Sequence, residues 1–198
     1  MTSIRRLVLG THNPGKVEEF RALLSSLDLD LIPASDLPDA PDVAETADTL
    51  TGNAKMKARA FFETTRLPSL ADDTGLEVDA LDGKPGVHTA RFAGADATAD
   101  DNKRRLLDVM EGKNDRRARF RTVIALVNDD GSVRTFEGTC EGTISTEPRG
   151  KGGFGYDPLF VPEGSHQTFA EMSPQAKNEI SHRRKALNAL WAFLSGEN

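Results

Sequence analysis

The chain has 198 residues, 37% of them hydrophobic, which suits one domain, or one domain with a lobed shape, that buries a real core. Its 31 acidic residues outnumber 25 basic ones for a net charge of -6, which argues against broad binding to nucleic acid or to an anionic membrane. The single cysteine, Cys140, excludes an internal disulfide and fits a reducing cytoplasm, and no apolar run approaches the ~20 residues of a transmembrane helix.

The opening residues Met1 to Arg6 are not followed by an apolar h-region, so no signal peptide is expected. Leu7-Val8-Leu9 is a short apolar strand, and Gly10-Thr11-His12-Asn13-Pro14-Gly15-Lys16-Val17 leads from it into a helix. Four residues separate Gly10 from Gly15, and Lys16 follows at once, which is the spacing of a phosphate-cradling P-loop. A P-loop then needs Ser or Thr to hold Mg²⁺, and this chain has Val17. The loop is therefore expected to attract phosphate through its backbone N–H groups, the helix N-terminus and Lys16, with any metal held elsewhere. An ordinary strand-to-helix turn punctuated by Pro14-Gly15 is the alternative.

Val17, Phe20, Leu23, Leu24 and Leu27 predict an amphipathic helix over 16–27, followed by a strand over 29–33 and a Pro- and Asp-rich loop over 34–48. Asp48 or Thr49 is placed to N-cap a helix that runs to about Arg66. Thr49, Asn53 and Lys57, spaced by four, share one face of it. That stripe suits a phosphate site, but taken alone it is expected to be a solvated face. Glu45, just before the helix, is a further acid.

Ser69-Leu70-Ala71 enters a buried strand and runs into Asp72-Asp73-Thr74-Gly75. Two adjacent carboxylates there are costly unless paired or bound to a cation. In a regular strand they point to opposite faces, so at most one aims into a given cleft unless the strand ends between them. Carboxylate oxygens suit Mg²⁺; the alternative is an Asp-rich turn. A separate strand is predicted over 76–80, a Gly-rich loop over 82–96, and a helix over 96–110 with Leu106, Leu107 and Met110 facing inward.

The second half begins with a hairpin, 120–127 and 133–136, around Asn128-Asp129-Asp130-Gly131. A further strand is predicted over 143–145 and a loop over 147–157. In Gly150-Lys151-Gly152-Gly153-Phe154-Gly155-Tyr156-Asp157, glycines allow close approach to a ligand and an aromatic can stack on a flat ring. A last helix starts at Pro174, with Ile180, Leu187, Leu190, Trp191 and Leu194 on one face. Near its start, Lys177, His182 and Arg183 offer donors that a keto-bearing base would accept from. Lys103-Arg104-Arg105 and Arg116-Arg117 are expected to be solvated, and Arg117, Arg119 and Arg121 to form one exposed strand face. The pattern predicts an α/β fold, two-lobed, with a long mixed β-sheet flanked by helices and a central nucleotide cleft.

Taken together, the motifs Thr11-His12-Asn13-Pro14-Gly15-Lys16, Ala71-Asp72-Asp73-Thr74-Gly75, Pro85-Gly86 through Ala90-Arg91, Gly152-Gly153-Phe154-Gly155-Tyr156-Asp157 and Ser181-His182-Arg183 occur in order. The chain resembles the inosine triphosphate pyrophosphatase family, the dITP/XTP pyrophosphatases of non-standard purine nucleotides, over nearly its whole length. The resemblance implies Mg²⁺-dependent hydrolysis of ITP, dITP or XTP to the monophosphate and pyrophosphate, by a homodimer. It makes Asp73 the general base and a metal contact, and Glu45 the second metal-site acid. It assigns Thr11, His12, Asn13, Pro14, Gly15, Lys16, Lys57 and Thr74 to the substrate. It places Phe154, Gly155, Tyr156, Asp157, Lys177, His182 and Arg183 around the nucleoside. Thr74 stands where the family often has Ser, and His88-Thr89 where it often has Tyr-Ser. Two other readings stand beside it: a P-loop NTPase or kinase acting at the γ-phosphate, against which Val17 speaks, and a non-catalytic nucleotide sensor.

Overall fold

The computed structural model describes residues 4–196. Met1 to Ser3, part of the segment assessed for a signal peptide, and the side chain of Pro14 lie outside the described part. In chain order the elements are β1 (Arg6–Leu9), α1 (Pro14–Leu24), β2 (Asp30–Pro33), α2 (Leu50–Thr65), β3 (Ser69–Val78), β4 (Pro85–Gly86), α3 (Ala99–Val109), β5 (Arg117–Val127), β6 (Val133–Ile144), β7 (Phe160–Pro162), α4 (Pro174–Ile180) and α5 (His182–Ser195). The strands form one mixed sheet of order β2-β1-β3-β5-β6-β7, with β4 paired to β3. β1 is parallel to β2 and β3, whereas β4 and β7 pair antiparallel. Among the described residues no helix is long and apolar enough to cross a membrane.

The chain divides into two compact units. The first contains Met1–Asp73, Thr122–Glu137 and Lys185–Asn198; the second contains Thr74–Arg121 and Gly138–Arg184. β3, β5 and β6 each pass from one unit into the other.

In the first unit, strand parity decides which residues meet which helix. Leu7 and Leu9 of β1 and Leu70 of β3 join a cluster with Val17, Phe20 and Leu24 of α1 and Ala186, Leu187 and Leu190 of α5. Val8, between them, points the other way and packs with Phe61 of α2. β1 is thus apolar on both faces, as a parallel strand covered by helices must be. Gly10 continues it where a Cβ would lie 2.6 Å from the Phe61 ring and 3.0 Å from the Leu70 carbonyl oxygen, so a side chain there displaces α2 or the strand. The second unit has its own core, in which Leu76 and Val78 of β3 and Leu106 and Met110 pack with Phe120, Phe160, Phe169 and the buried Cys140.

Several elements differ from the sequence expectation. The strands expected over 69–71 and 76–80 are one continuous strand, β3. The hairpin arms are longer, and the separate strand expected over 143–145 is the end of β6. α1 begins at Pro14, because Asn13 caps it. The last helix is broken: Ser181 takes an extended conformation and its hydroxyl accepts from the Arg184 N–H, restarting the helix as α5. β7 escaped notice because three residues are too few to show a period.

Two charge expectations also change. Arg116 is not solvated: its guanidinium donates to the carbonyls of Ile144, Ser145 and Met110 and fastens the start of β5. Arg117 is exposed as expected, but Arg119 and Arg121 are each only about a third exposed, and all three are paired. Arg119 pairs with Asp79, Glu77 and Glu141, Arg121 with Glu77, and Arg117 with Asp115 and Asp79. Opposite charges on neighbouring strands meet directly, a pairing that sequence separation hides.

Candidate active site

The first unit gathers the phosphate loop, Glu45, Lys57 and the acidic pair. β1 ends at Leu9, and the loop to α1 lines a cleft of about 280 Å³ whose walls include His12, Lys16, Asp42, Glu45, Lys57 and Asp72. The Asn13 side chain accepts from the N–H groups of Gly15 (3.0 Å) and Lys16 (3.4 Å), and Thr11 Oγ1 accepts from Asn13 N–H at 3.2 Å. The sequence expectation gave these amides to an anion; in the structure the loop's own side chains take them. What the loop presents to the cleft is the helix N-terminal dipole and Lys16. Val17 is buried in the core beside Phe20, which explains why this position has no need of a hydroxyl.

The continuity of β3 separates the two aspartates. Leu70 faces the α1 side, so Asp72, two residues on, faces the same side. There its carboxylate meets the Lys16 ammonium at 2.8 Å, with the Asp72 side chain 2% exposed. Asp73 faces the α2 side. It accepts from Asn53 Nδ2 at 3.1 Å and pairs with Lys57 Nζ at 3.5 Å, and the same ammonium donates to Glu45. Each face of one strand thus carries a carboxylate–lysine pair. Two of the three stripe residues expected to be solvated are instead inward: Asn53 is fully buried and Lys57 is largely buried, whereas Thr49 is exposed and caps α2.

The charges explain the ionisation of the cluster. Three carboxylates (Glu45, Asp72, Asp73) face two ammonium groups (Lys16, Lys57). Burial pushes the Asp73 carboxyl above the ordinary carboxylate range; Lys57 and the Asn53 hydrogen bond pull it down, and Glu45 and Asp72 push it up again. Burial works to lower Lys57, but Asp73, Glu45 and Asp72 outweigh it and hold its pKa above the ordinary lysine value. Burial sets the direction for Asp73, and the surrounding carboxylates set it for Lys57.

Two carboxylates, Glu45 and Asp73, offer the hard oxygen donors that suit Mg²⁺, and the cluster's excess negative charge favours a cation. Among the described residues no group of three or more His, Cys, Asp or Glu side chains is placed to hold a metal. The donor set therefore suits an ion that completes its shell with water and phosphate oxygens.

The second unit holds the other candidates. Asp157 is buried, and its carboxylate accepts from the Phe154 N–H at 2.8 Å and from the Lys177 ammonium. Gly153, at φ +70°, leaves no room for a side chain beside that carboxylate. This pins the 153–157 turn and presents Phe154, 61% exposed, with Lys177 Nζ 4.8 Å and the Arg183 guanidinium 5.8 Å from its ring centroid. The His182 ring, in the first turn of α5, is buried and stacks on Phe120 at 4.8 Å and 18°. Tyr156 is a core residue whose hydroxyl donates to the Thr89 carbonyl, and burial pushes its phenol well above the ordinary value. Thr74 begins this unit on β3.

Sequence reasoning missed the Lys16–Asp72 pair, Asn53 as the partner of Asp73, and the Pro41–Val43 wall of the cleft. The parity of β3 was the available signal for the first two. The cleft wall is irregular chain and gave none.

A model described as the Ham1 family matches residues 7–193. The chain is 48% identical to a dITP/XTP pyrophosphatase of Porphyromonas gingivalis, over 96% of this chain and 98% of that protein. It is 45% identical to the dITP/XTP pyrophosphatase of Geobacillus kaustophilus, over 94% and 93% of the two chains. Among solved structures, a HAM1 protein from Coxiella burnetii superposes with a TM-score of 0.93 at 41% identity, covering 98% of this chain and all 100% of that one. The Staphylococcus aureus Ham1 protein gives 0.92 at 39% identity with the same coverage. Identity of this extent, together with a matching fold, places the chain in the Ham1 family.

Proposed function

We propose that the protein hydrolyses non-standard purine nucleoside triphosphates, of the dITP, XTP and ITP class, to the monophosphate and pyrophosphate, and so clears them from the nucleotide pool. The observation that carries this reading is the cleft of the first unit, where Glu45 and the Asp73 carboxylate share Lys57 beside the phosphate loop. Its support from outside the chain is the activity for which relatives at 48% and 45% identity are named. A γ-phosphate-cleaving P-loop enzyme finds no such support, and Val17 lies in the core.

In this reading Lys16, Lys57 and the phosphate loop of the first unit take the triphosphate. Asp73 accepts a proton from a water aligned on the α-phosphorus; the new P–O bond forms as the bond to the bridging oxygen of the β-phosphate breaks, and pyrophosphate leaves. Asn53 and Lys57 hold the Asp73 carboxylate in place for this role. Lys16 and Lys57 stabilise charge on the departing phosphates. Glu45 and Asp73 would hold Mg²⁺, which supplies Lewis acidity and counter-charge when bound. A homodimer and a cytoplasmic location belong to the same reading.

Base choice rests on the purine 6-position. Inosine and xanthine accept a hydrogen bond there, whereas adenine donates one. His182 or Arg183 as donor rewards the keto group, and each mismatched buried contact costs about 1–3 kcal/mol, or roughly ten- to a hundredfold. Because His182 also stacks on Phe120, alanine would open a cavity. His182→Phe keeps the stack and deletes the donors. The kcat/KM ratio of ITP over ATP is expected to fall about tenfold; an unchanged ratio moves recognition off His182.

Product analysis tests the reaction itself. Incubation with ITP and Mg²⁺ is expected to release pyrophosphate. Orthophosphate as first product identifies a γ-phosphate enzyme, and no turnover of any purine triphosphate identifies a sensor.

A further inference from the structure

Lys57 is placed between the two carboxylates expected to hold Mg²⁺, rather than beside them. Its ammonium donates to Glu45 and lies 3.5 Å from Asp73 Oδ1, and its side chain is 15% exposed. Asn53 holds the other Asp73 oxygen at 3.1 Å, so the carboxylate cannot simply rotate away. α2 carries both Asn53 and Lys57, one turn apart on a single face, and its N-terminus is capped by Thr49, which fixes the pair against β3.

We infer that Lys57 is a built-in counter-cation that competes with Mg²⁺ for Glu45 and Asp73 until a triphosphate draws it away. The inference rests on the reading that these two acids hold the metal. Without nucleotide, the ammonium offsets part of the carboxylates' charge and sits between them, which weakens the binding of a second cation. Phosphate oxygens offer the same ammonium a new anionic partner. Its shift toward them frees the carboxylates while the phosphates supply further ligands for the ion. Metal and nucleotide then bind as a linked pair, each raising the affinity of the other by the same factor. The free enzyme keeps its acidic cluster intact without a standing metal ion.

The experiment titrates Mg²⁺ alone, by calorimetry, into the nucleotide-free protein. Lys57→Met deletes the charge and keeps the stem, and Lys57→Gln serves the same purpose with a polar tip. Both are expected to bind Mg²⁺ at least about tenfold tighter than wild type. Lys57→Arg, which keeps the charge, is expected to stay near wild type. Thermal unfolding gives a second readout. The neutral variants lose melting temperature in EDTA and regain it with Mg²⁺, whereas wild type changes little. Neutral variants that fold yet bind Mg²⁺ no tighter than wild type overturn the inference. The metal reading survives that result if wild type still binds Mg²⁺ in the presence of α,β-methylene-ITP and Glu45→Gln abolishes it. If Mg²⁺ is bound in neither setting, the metal assignment fails and the inference with it.

Discussion

Asp73→Asn is expected to lower kcat for ITP by about 10²–10⁴-fold while the protein stays folded and melts no lower than wild type. The two halves of this expectation come from one geometry. Asparagine is nearly isosteric and still accepts from Asn53 Nδ2 through its amide oxygen, so packing against α2 is kept. It cannot take a proton from water at neutral pH, and it removes one charge from the donors proposed for Mg²⁺. Its effect on stability follows from the direction of the Asp73 shift. Burial, aided by Glu45 and Asp72 and only partly offset by Lys57 and Asn53, holds this carboxyl above the ordinary value. The folded protein therefore binds the Asp73 proton more tightly than the unfolded chain does. Stability from this group is greatest when both states are protonated, falls as pH rises through the interval above the ordinary value of ~4, and stays reduced beyond it. A neutral side chain escapes that loss. In EDTA the variant is expected to gain melting temperature over wild type at neutral pH, and the gain shrinks as pH is lowered toward ~4, below which both states of the wild type are protonated. Near-normal kcat in the variant would remove Asp73 from the proton transfer. A large drop in melting temperature at neutral pH would show that the Lys57 pairing outweighs the cost of burial.

The same residues show what a sequence can and cannot disclose. β1, the loop, α1 and the 128–131 turn were legible because a short apolar run, Gly-Pro punctuation and a 3.6-residue period are local signals. Reading β3 as two strands was an error of composition: Asp72-Asp73-Thr74-Gly75 looks like a turn by residue type, and only partners distant in the chain make it a strand. Lys16 lies 56 positions before Asp72 and Lys57 16 before Asp73; neither pair produces a local pattern. The α2 stripe was misjudged for the same reason. Thr, Asn and Lys at intervals of four usually face water, and here a buried carboxylate on the next strand turns Asn53 and Lys57 inward while Thr49 stays exposed. The break at Ser181 was hidden in an otherwise helical run, yet it places His182 and Arg183 in a helix's first turn. At these candidate positions local propensity and tertiary demand part company.

Asp157→Ala is expected to damage both the fold of the second unit and the selection of the base, and a double variant separates the two. The Asp157 carboxylate is buried and holds the Phe154 N–H and the Lys177 ammonium together. Removing it strands a Lys177 side chain that is only 15% exposed and frees the turn that Gly153 shapes. Breaking a buried pair from one side costs about 3–5 kcal/mol. In a chain of this size, that corresponds to a melting temperature lower by roughly 10 °C. Asp157→Leu with Lys177→Met replaces the pair by apolar groups of similar volume and is expected to recover most of that loss, since two removed charges leave no orphan. It cannot recover recognition. Phe154 would lose both the hydrogen bond that orients its backbone and the cation 4.8 Å from its ring, so KM for ITP stays raised at least tenfold while kcat at saturation changes less. Recovery of melting temperature and KM together would make the pair purely structural. Failure to recover either would place the contribution of Asp157 in contacts other than Lys177 and Phe154. The expected split, with stability restored and affinity still lost, assigns the buried carboxylate to holding Phe154 and Lys177 in position for the purine rather than to touching it.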